Sequence, residues 1–97
     1  MLIGVCRLTL RLPENGSLKG KRRAIHSLCS RVRSRFNVSI AEVDDNDAWQ
    51  VATLGVTCVS NSSRHLDETL SRVVAFIQSG REDVELVDWE QETLTGF

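Results

Sequence analysis

The chain has no tyrosine, one proline, one methionine, two tryptophans and three phenylalanines in 97 residues. So few rings argue against a platform that stacks single-stranded bases. Three cysteines, at positions 6, 29 and 58, are too few and too scattered for a disulfide framework, and their number is odd. Reduced thiols and a cytoplasmic location are the expectation. No CxxC or HxxxH spacing occurs, so neither a zinc nor an iron–sulfur site is expected. No apolar run approaches the roughly 18 residues of a membrane span. The segment MLIGVCRLTLRLPENG alternates apolar with polar residues and lacks a basic leader, so it does not read as a signal peptide. Neither GxxxxGK[ST] nor GxGxxG is present, and Gly16 and Gly20 form no phosphate cradle. Asp44, Asp45 and Asp47 resemble a piece of a calcium loop but lack its glycine and closing glutamate, so a solvated turn is expected. His26 and His65 stand apart from any nucleophile in sequence, and His65 reads as a solvent-facing residue of a first helical turn. Trp49 and Trp89 read as packing at strand ends. The expectation is a protein without catalytic residues, metal, cofactor or small-molecule substrate.

What is present is enough for one domain. Apolar residues make up 41% of the chain and charged residues 26%, an ordinary globular composition. The net charge of −1 hides a segregation. Residues 1–36 carry nine basic side chains and the single acid Glu14, a net of +8. Residues 37–97 carry three arginines against twelve acids, a net of −9. Local fields act over about a Debye length, so the halves behave separately unless folding pairs them.

Leu2 to Leu12 alternates, with Leu2, Gly4, Cys6, Leu8, Leu10 and Leu12 on one side, which predicts a strand with one buried face. Pro13 and the turn residues Glu14-Asn15-Gly16 stop it. Ser17 is placed to cap a helix in which Leu18, Ile25, Leu28, Cys29, Val32 and Phe36 recur at helical spacing. Val38 to Val43 and Gln50 to Val59 read as a strand pair joined through the acidic turn, with Ala52, Leu54, Val56 and Cys58 on one face. Asn61-Ser62-Ser63 precedes a second amphipathic helix bearing Leu66, Leu70, Val73, Val74 and Ile77, with Gly80 as its C′ residue. Val84 to Glu92 reads as the last strand, and residues 93–97 as a frayed end. The order β-α-β-β-α-β predicts a single α+β domain over 1–97. It is a ferredoxin-like sandwich, a four-stranded antiparallel sheet with both helices on one face.

The first helix is the feature that bears on function. Lys19, Arg22, His26 and Arg33 share one flank, Arg31 and Arg35 line the other, and Lys21 and Arg23 complete the basic set. Arginines at such spacing reach successive phosphates, and backbone contacts dominate nucleic-acid affinity. The competing reading is that these cations pair with the acidic half after folding. Arg7 and Arg11 belong to the opposite sheet face, where Ile3, Val5, Thr9, Thr53 and Thr57 stand in place of the rings of an RNA-recognition motif.

Residues 17–43, SLKGKRRAIHSLCSRVRSRFNVSIAEV, followed by W-Q-x-A-T-L-G-V at 49–56, resemble the YlxP-like family of small bacterial proteins. Ser17-Leu18-Lys19-x-Lys21-Arg22 and Phe36-Asn37-Val38-Ser39 carry most of the likeness, which extends over nearly the whole chain. Gly20 departs from it, standing where many relatives have a longer polar residue. The resemblance implies a ferredoxin-like domain of unknown function, encoded near translation-initiation and ribosome-maturation genes, with no catalytic residues to carry over. Two expectations follow: an RNA- or ribosome-associated protein that binds through the first helix, or a protein-interaction module that forms a homodimer without nucleic acid.

Overall fold

Around the first strand, β1 (Leu2–Arg11), the other elements assemble. The computed structural model describes residues 1–80 and 83–97. After β1 come α1 (Leu18–Arg35), β2 (Ser39–Asp44), β3 (Val51–Ser60), α2 (Ser63–Gly80) and β4 (Glu85–Leu94). The sheet order is β2-β3-β1-β4 with every neighbouring pair antiparallel, so β1 lies inside the sheet and β2 and β4 form its edges. Both helices pack on one face. This is the ferredoxin-like arrangement expected from the alternation and helical spacing.

The period-two pattern of β1 puts Cys6, Leu8 and Leu10 into the core, with Ala52, Leu54 and Val56 of β3 beside them. Onto that face α1 lays Ile25, Leu28, Cys29 and Val32, and α2 lays Leu66, Leu70, Val73, Val74 and Ile77. Each fully buried aliphatic side chain contributes about 1.5–3 kcal/mol. Gly4 lets α2 approach closely, since a Cβ there would stand 3.1 Å from Leu70 Cδ1 and 3.3 Å from Cys58 Sγ. Ser17 caps α1 as expected, its Oγ accepting from Gly20 N–H at 2.9 Å. Ser62 caps α2, its Oγ accepting from His65 N–H at 3.2 Å.

Several boundaries differ from expectation. The hairpin strands are each displaced one residue toward the C-terminus, and β1 stops at Arg11. The last strand runs on to Leu94 because β1 begins at Leu2 and offers Gly4 and Ile3 as partners for Thr93 and Leu94. The frayed end expected over 93–97 is thus corrected for Thr93 and Leu94, which are paired strand, while residues 95–97 follow as exposed irregular chain in which Phe97 O accepts from the Met1 ammonium at 2.7 Å. Gly80 belongs to the helix rather than following it, and the C′ position lies outside the described residues. Trp49 and Trp89 do not pack away at strand ends. They are 55% and 45% exposed, one in the loop before β3 and the other inside the edge strand β4.

Both edge strands carry a bulge. Pairing shifts between Glu42 and Asp44 on β2, and between Asp88 and Leu86 on β4, leaving Val43 and Val87 as the extra residues. Bulges of this kind twist an edge away from further strand pairing.

Candidate nucleic-acid interface

Seven of the eight basic residues singled out on α1 reach the surface, and one does not. Lys21 is completely buried. Its ammonium donates to Asp45 O at 2.7 Å and Val51 O at 3.2 Å, with Asn46 O at 3.4 Å. Glu42 Oε2 lies 2.9 Å away but outside hydrogen-bonding alignment, so that attraction is one of charge. Lys21 is therefore withdrawn from the candidate interface. It ties α1 to the turn between β2 and β3. The signal was in the spacing, because Lys21, Ile25, Leu28 and Val32 follow one another by steps of four, three and four along the buried stripe. Lysine is almost never buried unless paired, and its residue type therefore outweighed its position.

Lys19, Arg22, Arg23, His26, Arg31, Arg33 and Arg35 are exposed. The two expected flanks separate in space. Arg22, His26 and Arg33 line a groove against Ala41 and Glu42 of β2. On the other flank the Arg31 and Arg35 guanidinium carbons lie 5.5 and 5.0 Å from the Phe76 ring centre of α2. Phe76 itself meets Phe36 edge to face, with 5.8 Å between ring centres. Cation–π contact of this kind steadies an arginine without neutralising it. Phe76 escaped the sequence reading because it lies beside, not within, the apolar stripe of α2.

Arg33 is partly committed, since its Nη2 donates to Ile40 O at 2.7 Å and joins the end of α1 to β2. Beneath it, burial pushes the Cys29 thiol up, Arg33 nearby draws it down, and Glu42 adds a smaller upward push.

The acidic half neutralises few of these cations. Among the described residues, the ion pairs that join the two halves are Arg7–Glu90 at 3.0 Å and Lys21–Glu42. Arg64–Glu68 is a pair within the acidic half. None of the exposed α1 cations has a carboxylate within 4.0 Å among the described residues. The acidic turn is engaged elsewhere. Asp44 Oδ1 accepts from Asp45 N–H, and Asp45 Oδ2 accepts from Thr53 Oγ1 at 2.6 Å.

The opposite face of the sheet is covered by neither helix, although Thr53 on it is buried beneath Asp45. Val5, Arg7, Thr9, Thr53, Thr57 and Val59 occupy it on the central strands, with Asp88, Glu90 and Glu92 beside them on β4. It carries no aromatic ring among these register positions. Cys6 and Cys29 are buried in the core and Cys58 is half-buried. Among the described residues, no three His, Cys, Asp or Glu side chains gather as a metal-binding group. No described helix is long and apolar enough to cross a membrane.

A family described as a protein of unknown function, DUF503, matches residues 3–91. The uncharacterized protein YlxP of Bacillus subtilis (strain 168) is 38% identical over 78 residues, covering 80% of this chain and 85% of that protein. The paired Lys21 and the cation-bearing α1 thus belong to a chain that is a member of the DUF503 family.

Proposed function

We propose that this protein is a small cytoplasmic, non-enzymatic RNA-binding protein that engages ribosomal RNA or a ribosomal subunit through the outer surface of α1. One observation carries the reading. Lys19, Arg22, Arg23, Arg31, Arg33 and Arg35 are exposed on one helix, and no described carboxylate lies within ion-pair distance of them. From Lys19 to Arg35 they extend over about 24 Å at the rise of an α-helix. Such a row suits phosphates on either side of an RNA groove, with recognition led by shape and backbone rather than by stacked bases.

The test replaces Lys19, Arg22 and Arg23 with glutamine together and leaves Arg33 in place, because Arg33 also ties α1 to β2. Binding to ribosomal RNA is measured across a salt series. The slope of log affinity against log salt should fall by about two to three units, one for each lost phosphate contact. Stability should change by about 1 kcal/mol or less, as for exposed cations elsewhere. Absence of binding at low salt, or a salt-independent affinity, overturns the proposal. So does an unchanged affinity accompanied by a lowered melting temperature.

The sheet face that neither helix covers favours a second reading, a homodimer that acts as an assembly module without nucleic acid. Val5 and Val59 are exposed there, and Arg7 stands on β1 beside Glu90 on β4. A two-fold axis through that face would set the cations of one copy against the acids of the other. Light scattering at micromolar concentration should then give twice the 10.9 kDa chain mass. Val5→Lys with Val59→Lys should return it to the monomer. A monomer mass for the unaltered protein ends this reading.

A further inference from the structure

A second cationic feature lies where the C-terminal end of α1 meets α2. Arg35, Asn37, His65, Thr69 and Arg72 supply the polar lining of a cavity of about 210 Å³, and Phe36, Val59 and Leu66 are among its apolar lining. No carboxylate of the described residues lines it. The cavities on the open sheet face differ in this respect, because they draw in Asp44, Asp88, Glu90 or Glu92. Small-molecule pockets usually run to about 300–1,000 Å³, so this one suits a phosphate or a single base rather than a large cofactor.

Arg72 makes the cavity informative. Arg35 has a structural reason to end α1, since cations there complement the helix dipole. Arg72 lies in the interior of α2, where no dipole end favours it. It belongs to the acidic half, yet no described carboxylate lies within 4.0 Å of it, whereas Arg64 on the same helix is paired with Glu68. Arg35 is meanwhile held over the Phe76 ring, which limits the rotamer freedom lost when it binds an anion. Two arginines, a histidine and Asn37 thus line an opening with apolar residues beside them. Guanidinium groups favour phosphate over other anions through paired, charge-assisted hydrogen bonds.

We infer that this cavity binds the phosphate of a nucleotide, with Arg35 and Arg72 on the phosphate oxygens and the attached nucleoside leading out of the opening. The inference rests on the RNA-binding reading only for the source of that nucleotide. A free mononucleotide and a nucleotide within an RNA strand present the same chemistry.

Nuclear magnetic resonance titration of the full chain separates the possibilities. The probes are AMP, adenosine, a single-stranded hexa-adenylate and a duplex RNA, each at low salt. The amides of Asn37, Val59, His65 and Thr69 should shift with AMP, with the hexa-adenylate or with both, and not with adenosine. A stronger response to AMP identifies a free nucleotide as the ligand, and a stronger response to the hexa-adenylate identifies the RNA strand. Arg72→Gln should weaken the responding ligand by about tenfold or more, the loss expected of a charged hydrogen bond. Duplex binding through the outer α1 surface should persist in that variant. Absence of those shifts with both AMP and hexa-adenylate overturns the inference, as does equal affinity in Arg72→Gln. If duplex RNA fails to bind while AMP still shifts the cavity amides, the RNA reading falls and the phosphate pocket stands.

Discussion

Lys21 Nζ lies 2.9 Å from Glu42 Oε2, joining α1 to β2 through a lysine that has no contact with solvent. Two backbone carbonyls from the turn and one from β3 surround the same ammonium. The pair therefore organises the entry into β3 as well as the helix. Asp45, which supplies the shortest of these bonds, has a φ of 60°, a left-handed conformation that is uncommon for residues other than glycine.

Lys21→Met should destabilise the fold by about 3–5 kcal/mol, the usual cost of leaving a buried partner charge uncompensated. Glu42→Gln should cost less, because the ammonium keeps its carbonyl acceptors. Urea denaturation of the two variants measures the difference. Equal midpoints for Lys21→Met and the unaltered chain would show that the buried pair does not hold the turn.

Gly20 makes room for Asn15. A Cβ at position 20 would collide with Asn15 Oδ1, while Asn15 Nδ2 donates to Ser17 O at 2.7 Å and Trp49 O at 2.6 Å. Alanine should raise helix propensity by about 1 kcal/mol but disturb hydrogen bonds contributing about 0.5–1.5 kcal/mol each. Gly20→Ala should thus lower the melting temperature in the natural chain and raise it in an Asn15→Ala background. The same sign of change in both backgrounds would refute the coupling.

Burial pushes the Cys6 thiol up from 9.0 to about 11. The folded state thus holds its proton more tightly than the unfolded chain does. Its stabilising contribution is full below pH 9, is lost as pH rises from 9 toward 11, and does not fall further above that range. The loss should come to roughly 3 kcal/mol, and Cys6→Ala should show a shallower decline over that range. Denaturation midpoints of both proteins between pH 8 and 11 check the slope. Parallel declines would rule out Cys6 as the source.

The β-α-β-β-α-β order was legible because local pattern and global burial agree. The alternation of Cys6, Leu8 and Leu10 and the spacing of Leu66, Leu70, Val73 and Ile77 each point to one face. Edge details were less legible. Val43 and Val87 give no local sign that they are bulges, since a bulge depends on the partner strand's register. The reach of β4 to Leu94 likewise depends on where β1 begins.

The charge split and the basic face of α1 were determined by sequence alone, because the helical period assigns residues to flanks regardless of what packs against them. Which cations remain free was decided by tertiary structure. Arg7 is drawn to Glu90 across the sheet and Lys21 to Glu42 beneath the helix, each over a long stretch of chain. Only folding brings Arg35 and Arg72 to one cavity from separate helices. Electrostatic attraction and desolvation act over a few ångströms in space, and chain order does not measure that distance.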